Sequence, residues 1–186
     1  MTVAALYIDA KRGPYAGVPG IDPWGIERDA TRYAGPSPVV AHPPCGAWGN
    51  YAHKCHDDGA TGPVAVAQVR RWGGVLEHPR RSKLWAHCGL PRPGELPDAW
   101  GGYSIEIRQC DWGHVAEKRT WLYIVGTTDL PTMPPRGEPT GLTVRKASGR
   151  LSTPLERMSK TKRHLTPPAL ATWLAELAQR CAEDMT

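Results

Sequence analysis

Two short apolar runs, each halted by proline just after a polar residue, constrain this chain more than any other feature. The first is "VVAHPPC" at residues 39–45 and the second is "VLEHP" at residues 75–79. Proline fixes φ near −65° and lacks an amide donor, so a strand over residues 38–41 cannot run through Pro43 and Pro44. Cys45 therefore falls on a stiff loop just past a strand's carboxyl end, the place where open α/β sheets hold their ligands. The second run delivers Glu77 and His78 to an end of the same kind. Between them, "GPVAVAQVRRW" at residues 62–72 sets Ala65, Val66 and Val69 on one face, with Pro63 in the first turn and Gly73 and Gly74 after the last. That pattern predicts a helix, and strand, helix, strand predicts an α/β fold. The rival reading of Cys45 is a buried thiol acting as a small hydrophobe.

Further elements follow from the same signals. Residues 3–8 (VAALYI) read as a buried strand, residues 11–25 as a Pro/Gly-rich loop, and residues 26–33 (IERDATRY) as one or two helical turns. "YSIEIRQC" at residues 103–110 alternates, "DWGH" turns, and "RTWLYIVG" runs apolar to Gly126, so two neighbouring strands are expected, in antiparallel pairing. Residues 127–165 form a long basic Pro/Gly-rich loop. The chain closes with a helix over residues 166–183, capped by Thr166, whose stripe is Leu170, Trp173, Leu174, Leu177 and Cys181. At 186 residues, one domain over residues 1–186 is expected.

Composition narrows the class. Five cysteines form an odd set, and the amino terminus shows no basic segment followed by an apolar one, so free thiols in a reducing cytoplasm are expected. No apolar run approaches the roughly 18–20 residues that span a bilayer, and no membrane role is expected. A net charge of +5 permits a polyanionic partner without proving one. Phosphate contacts are expected from the basic segment of residues 145–163, which includes "KTKRH" at residues 160–164, and from Arg80 and Arg81 beside Glu77. The tryptophans at 48, 85, 100, 112 and 121 are expected in packing, with one or two free to stack on a base.

The three polar deliveries, "PPC" ending at Cys45, "LEHP" around Glu77 and "DWGHVAEKRTWLYIVG" around Arg119, resemble in order and character the DNA (cytosine-5) methyltransferases. The resemblance covers residues 38–126. It implies a Rossmann-like, methyltransferase-type sheet with a C-terminal β-hairpin, here shortened at the cofactor-binding end, and a closing C-terminal helix. It implies Cys45 as nucleophile, Glu77 as the carboxyl group facing N3 and the exocyclic amine, and Arg119 as the cation near O2. Substrate contacts are expected from His42, Pro44, His78, Arg80, Lys118 and His114. It also implies S-adenosylmethionine, for which "PYAGVPG" at residues 14–20 is a faint echo, with Tyr15, Gly17 and Asp22 as candidate contacts. Only 44 residues precede Cys45. Within the hairpin, Glu117 and Trp121 stand where the family has Gln and Arg, and His78 where it has Asn.

The chemistry explains the set. A pyrimidine does not react at C5 until a nucleophile adds to C6, and a thiolate adds and leaves readily. Carboxyl and cationic groups relieve the charge that builds in the ring. A base inside a duplex must also be flipped out to be reached. The wider pattern, including "PGIDPWGIERDA" and "TPPALATWL", looks like compact proteins encoded by phages and prophages, which implies DNA as partner and a host cytoplasm. The expected function is modification of a pyrimidine in DNA, cytosine C5 first. One alternative is a pyrimidine-nucleotide enzyme using another electrophile, as thymidylate synthases do with a Pro-Cys loop. The other is an inactive DNA-binding or inhibitory module. Cys45, His53, Cys55 and His56 present zinc-ligand residue types, but not at finger or ribbon spacing, and no metal is expected.

Overall fold

Short apolar runs stopped by proline, glycine or a left-handed residue build six strands in the computed structural model, which describes residues 1–50, 52–56, 59–137 and 165–183. β1 (Val3–Leu6), β2 (Ile21–Trp24), β3 (Val39–Ala41) and β4 (Gly74–Pro79) run parallel, and β6 (Arg119–Val125) lies antiparallel to β4. β5 (Tyr103–Arg108) pairs antiparallel with β6 at the edge, giving the order β2-β1-β3-β4-β6-β5. The protein is thus an α/β protein with a mixed sheet.

Helix α1 (Thr61–Trp72) connects β3 to β4 and packs with α2 (Lys83–Cys88) on one face. Helix α3 (Pro168–Glu183) covers the other face, and its expected stripe of Leu170, Trp173, Leu174, Leu177 and Cys181 is buried throughout. Burying side chains of this size contributes roughly 1.5–3 kcal/mol each. One glycine is demanded by the sheet itself: Gly74 has φ +120°, and a Cβ there would sit 2.0 Å from the Val39 carbonyl oxygen.

Several expectations need correction. The loop expected at residues 11–25 contains β2, whose Pro23 is tolerated because the strand is an edge that pairs only with β1. The first strand stops at Leu6, since Tyr7 takes φ +61°. Residues 26–33 give only a 3-10 turn at Ala30–Arg32, where the Asp29 carboxylate accepts from the Thr31 amide. Helix α2 was missed, although Ser82 caps it by accepting from the Leu84 amide. At α3 the first helical bond runs from the Ala171 amide to the Pro167 carbonyl, so Pro167 rather than Thr166 holds the cap position. Residues 127–137 are irregular, and the rest of the expected loop to residue 164, with the basic segment of residues 145–163, lies outside the described residues. Among the described residues no helix is long and apolar enough to cross a membrane.

Candidate functional site

The site forms where β3 ends beside β4, which runs on to Pro79. Their register pairs Ala41 with Leu76, so the next residues, His42 and Glu77, meet. His42 Nδ1 lies 3.0 Å from Glu77 Oε2, and Tyr15 Oη lies 2.7 Å from His42 Nε2. Burial and the Glu77 charge raise the Tyr15 pKa well above its ordinary value, so its hydroxyl stays protonated and donates. With Tyr15 donating, His42 accepts at Nε2 and donates from Nδ1 to Glu77. On the far side, Gln109 Nε2 donates to Glu77 Oε1 and to Thr120 Oγ1, each at 3.0 Å. Thr120 in turn donates to the Lys118 carbonyl at 3.2 Å.

Strand alternation selects these partners. Val75, Leu122, Ile124 and Ile107 face α3, and Glu77, Thr120 and Gln109 continue those rows. Gln109 and Thr120 were not singled out from the sequence, although Gln109 ends the alternating run on the inward face.

Glu77 is 8% exposed. Burial opposes its ionisation, but the His42 hydrogen bond and the charge of Lys118, joined in acid by the two histidines once they are protonated, outweigh it and hold the pKa at about 2. At neutral pH Glu77 is therefore anionic. Cys45 begins the 3-10 turn Gly46–Trp48 just past Pro44. Burial, and then the Glu77 charge, raise its pKa, while Lys118 pulls the other way, so the resting group is a thiol.

Cys45 opens on a cleft of about 430 Å³ whose lining includes Trp48, Asn50, His78, Arg80 and Arg81. His78 points to the opposite face from Glu77, against Trp85. Burial lowers its pKa to about 4, overriding Glu77 and the nearby carbonyls of Pro44 and Pro43, and neither ring nitrogen makes a hydrogen bond among the described residues.

The structure gathers Cys45, His42, Pro44, Glu77, His78 and Arg80 at this edge, and the charge of Lys118 reaches both Cys45 and Glu77. It does not gather Arg119. Because β6 alternates, Arg119 faces away from Glu77, alongside Trp121 and Tyr123, and its guanidinium is held by Glu117 at 2.9 Å and Glu106 at 3.2 Å. Lys118 stands in its stead, with φ +23° and Nζ 3.2 Å from the Leu165 carbonyl. His114 is buried within its own loop, with Nδ1 accepting from the Ala116 amide at 3.0 Å. Arg80 Nε stands 2.8 Å from Glu106 Oε2, so it braces the cleft wall.

The expected cofactor contacts do not assemble. Tyr15 belongs to the His42 network, Gly17 lies in an exposed turn, and Asp22 is taken by Arg28 and by Trp24 Nε1 at 2.7 Å. A second cleft of about 410 Å³ does open past β1 and β2, lined by Ile8, Asp9, Lys11, Glu27 and Arg28. Yet β1 leads into turns rather than a helix whose N-terminus would face a ligand, and Glu27 is paired with Lys11 at 2.6 Å. These residues do not fit S-adenosylmethionine.

Of the zinc-ligand types, His53 and His56 are exposed, and Cys55 Sγ packs on Gly46. Among the described residues no three or more such side chains gather to hold a metal. Comparison of the chain with protein-family models, with curated proteins and with solved structures returned no match.

Proposed function

We propose that this protein modifies a pyrimidine base, cytosine in DNA first, through a covalent adduct at Cys45. One observation carries the reading: a thiol on a proline-stiffened loop lines a cleft past β3, and its charge environment is set by the buried Glu77 carboxylate of the adjacent strand and by Lys118. The sheet order supports a Rossmann-like, methyltransferase-type fold, since the chain changes direction across the sheet between β1 and β3, and ligands of open sheets lie at such a switch. Its β2 edge is short and lacks the helix expected after β1.

The chemistry needs no cofactor to begin. The Cys45 thiol gives its proton to water as Sγ bonds to C6, the C5=C6 electron pair shifts into the ring, and N3 takes a proton from water in exchange. C5 is then nucleophilic and takes up a solvent proton. Loss of the original C5 hydrogen, departure of the thiolate and release of the N3 proton restore the base. Glu77, anionic at neutral pH, stabilises a ring protonated at N3, which draws electron density from C6. Lys118 supplies the positive charge opposite O2. A lasting modification adds an electrophile at C5 in place of the proton. The poor fit of the β1 and β2 end to S-adenosylmethionine favours a second reading, in which a free pyrimidine nucleotide is the substrate and another alkylating electrophile the donor.

Deuterium exchange at cytosine C5 tests the first step. The protein in D2O is mixed with deoxycytidine monophosphate, a single strand, a duplex and a duplex with mismatched cytosine. Exchange that Cys45→Ser abolishes is expected, faster on unpaired than on paired cytosine because unstacking is costly. Absence of exchange from every substrate would leave a binding or inhibitory module.

A further inference from the structure

The turn that follows Glu77 holds an arginine where backbone geometry asks for glycine. The Ser82 amide donates to the Pro79 carbonyl at 3.1 Å, closing a four-residue turn over Arg80 and Arg81. Arg81, its third residue, has φ +62°, while Arg80 is not in the left-handed region. That is the type II pattern, whose third position belongs to glycine or asparagine because a Cβ is strained there. Strain of this kind persists where the surroundings or a function require it.

The side chain of Arg81 suggests which. It is exposed, and unlike Arg80 and Arg119 it has neither ion pair nor hydrogen bond among the described residues. It lines the cleft that also holds Cys45, Trp48 and His78. His78, 1% exposed, lines that cleft, and its ring nitrogens, close to the Pro43 and Pro44 carbonyls, make no well-formed hydrogen bond among the described residues. A buried polar group left unsatisfied is costly, so its place in a cleft wall points to a ligand that completes it. A cavity of this size, with a tryptophan on its wall, a neutral imidazole within and an unpaired guanidinium at its mouth, suits one nucleotide.

We infer that Arg81 is a specificity residue that binds the phosphate of the reacting pyrimidine nucleotide, and that His78 hydrogen-bonds the same nucleotide deeper in the cleft. The identity of the base rests on the adduct chemistry proposed above; the phosphate contact does not. The phosphate belongs either to a free nucleotide or to a DNA strand, which present the same group to Arg81.

Titration of the intact protein with deoxycytidine, deoxycytidine monophosphate and a trinucleotide with central dC, at one ionic strength, tests this. Deoxycytidine monophosphate should bind at least about tenfold more tightly than deoxycytidine, as expected for a charge-assisted hydrogen bond. Arg81→Gln and Arg81→Gly should both bring that ratio to about one. Arg81→Gly should also raise Tm by about 2–4 °C through relief of the strained turn, which Arg81→Gln leaves in place. The trinucleotide assigns the source: tighter binding than the monophosphate places the phosphate in a strand, and weaker binding places it on a free nucleotide. A wild-type ratio near one, or a ratio unchanged in Arg81→Gln, overturns the phosphate subsite. C5 exchange measured alongside separates the two readings. Exchange with a ratio near one removes the subsite and spares the adduct, whereas an Arg81-dependent ratio without exchange removes the adduct and keeps a phosphate-binding cleft.

Discussion

The carboxyl edge of the sheet ends in two unlike regions. Where β3 ends beside β4, Tyr15, His42, Glu77, Gln109 and Thr120 form a continuous hydrogen-bonded row under the α3 face, with Glu77 8% exposed. Past β1 and β2, charges also meet, but in water: the Lys11 and Glu27 side chains of one pair are 73% and 64% exposed. The backbone topology is alike, since all four strands are parallel. Desolvation makes the difference. Exposed ion pairs contribute about 0–1 kcal/mol and hold nothing in place, whereas a buried polar network fixes each group's direction and shifts its protonation. A reaction can be localised at the first region and not at the second.

The largest test of that contrast is Cys45→Ser, expected to reduce C5 exchange to the uncatalysed level while changing Tm by less than about 2 °C, because the side chain is only half-buried and makes no core contact. Unfolding of this variant would make Cys45 a packing thiol and erase the distinction. Next comes Glu77→Gln, which keeps shape but removes the charge; exchange should fall about a hundredfold, measured as an initial rate. Unchanged exchange would mean that the network is scaffolding alone.

Neighbouring cations sharpen the comparison further. Lys118→Met should slow exchange about tenfold or more, and Arg119→Met should leave it within about twofold, since Arg119 faces Glu106 and Glu117 on the opposite side of the sheet. The reverse ranking would return the role to Arg119.

Acid should find the site before it finds the β1 and β2 end. His78 has a folded pKa of about 4 against an ordinary 6.5, so the unfolded chain binds more protons between those values and stability falls as pH drops from 6.5 to 4. Glu77, at about 2 against 4.5, continues the loss as pH drops from 4.5 to 2. Thermal melts across pH should show both stretches, with His78→Gln flattening the upper one. A slope that survives this substitution would assign the upper window to other groups. The smallest effect is expected from Glu27→Ala, which should move Tm by no more than about 2–4 °C at pH 7. Calorimetry with S-adenosylmethionine should show no micromolar binding, and such binding would show the second region to be a built site after all.

The segments were legible where local chemistry decides. Prolines 43 and 44 end a strand whatever surrounds them, the alternation of residues 103–108 marks a strand with two faces, and the Leu170, Trp173, Leu174, Leu177 stripe buries wherever α3 docks. For that reason Cys45 could be placed past a strand end from sequence, whereas Glu77 lies inside β4, which runs through to Pro79. Weak local signals failed: β2 carries a proline that only an edge position tolerates, and α2 is a six-residue helix marked only by Ser82 before it and Gly89 after it. What the sequence by itself determined was the set of stops and faces, because φ restriction and side-chain period act within a few residues. Which cation faces the carboxylate was decided only by the tertiary structure. Adjacent residues on a strand point to opposite faces, and the pairing of β6 with β4 turned Thr120 toward Glu77 and Arg119 away, leaving Lys118 to supply the charge.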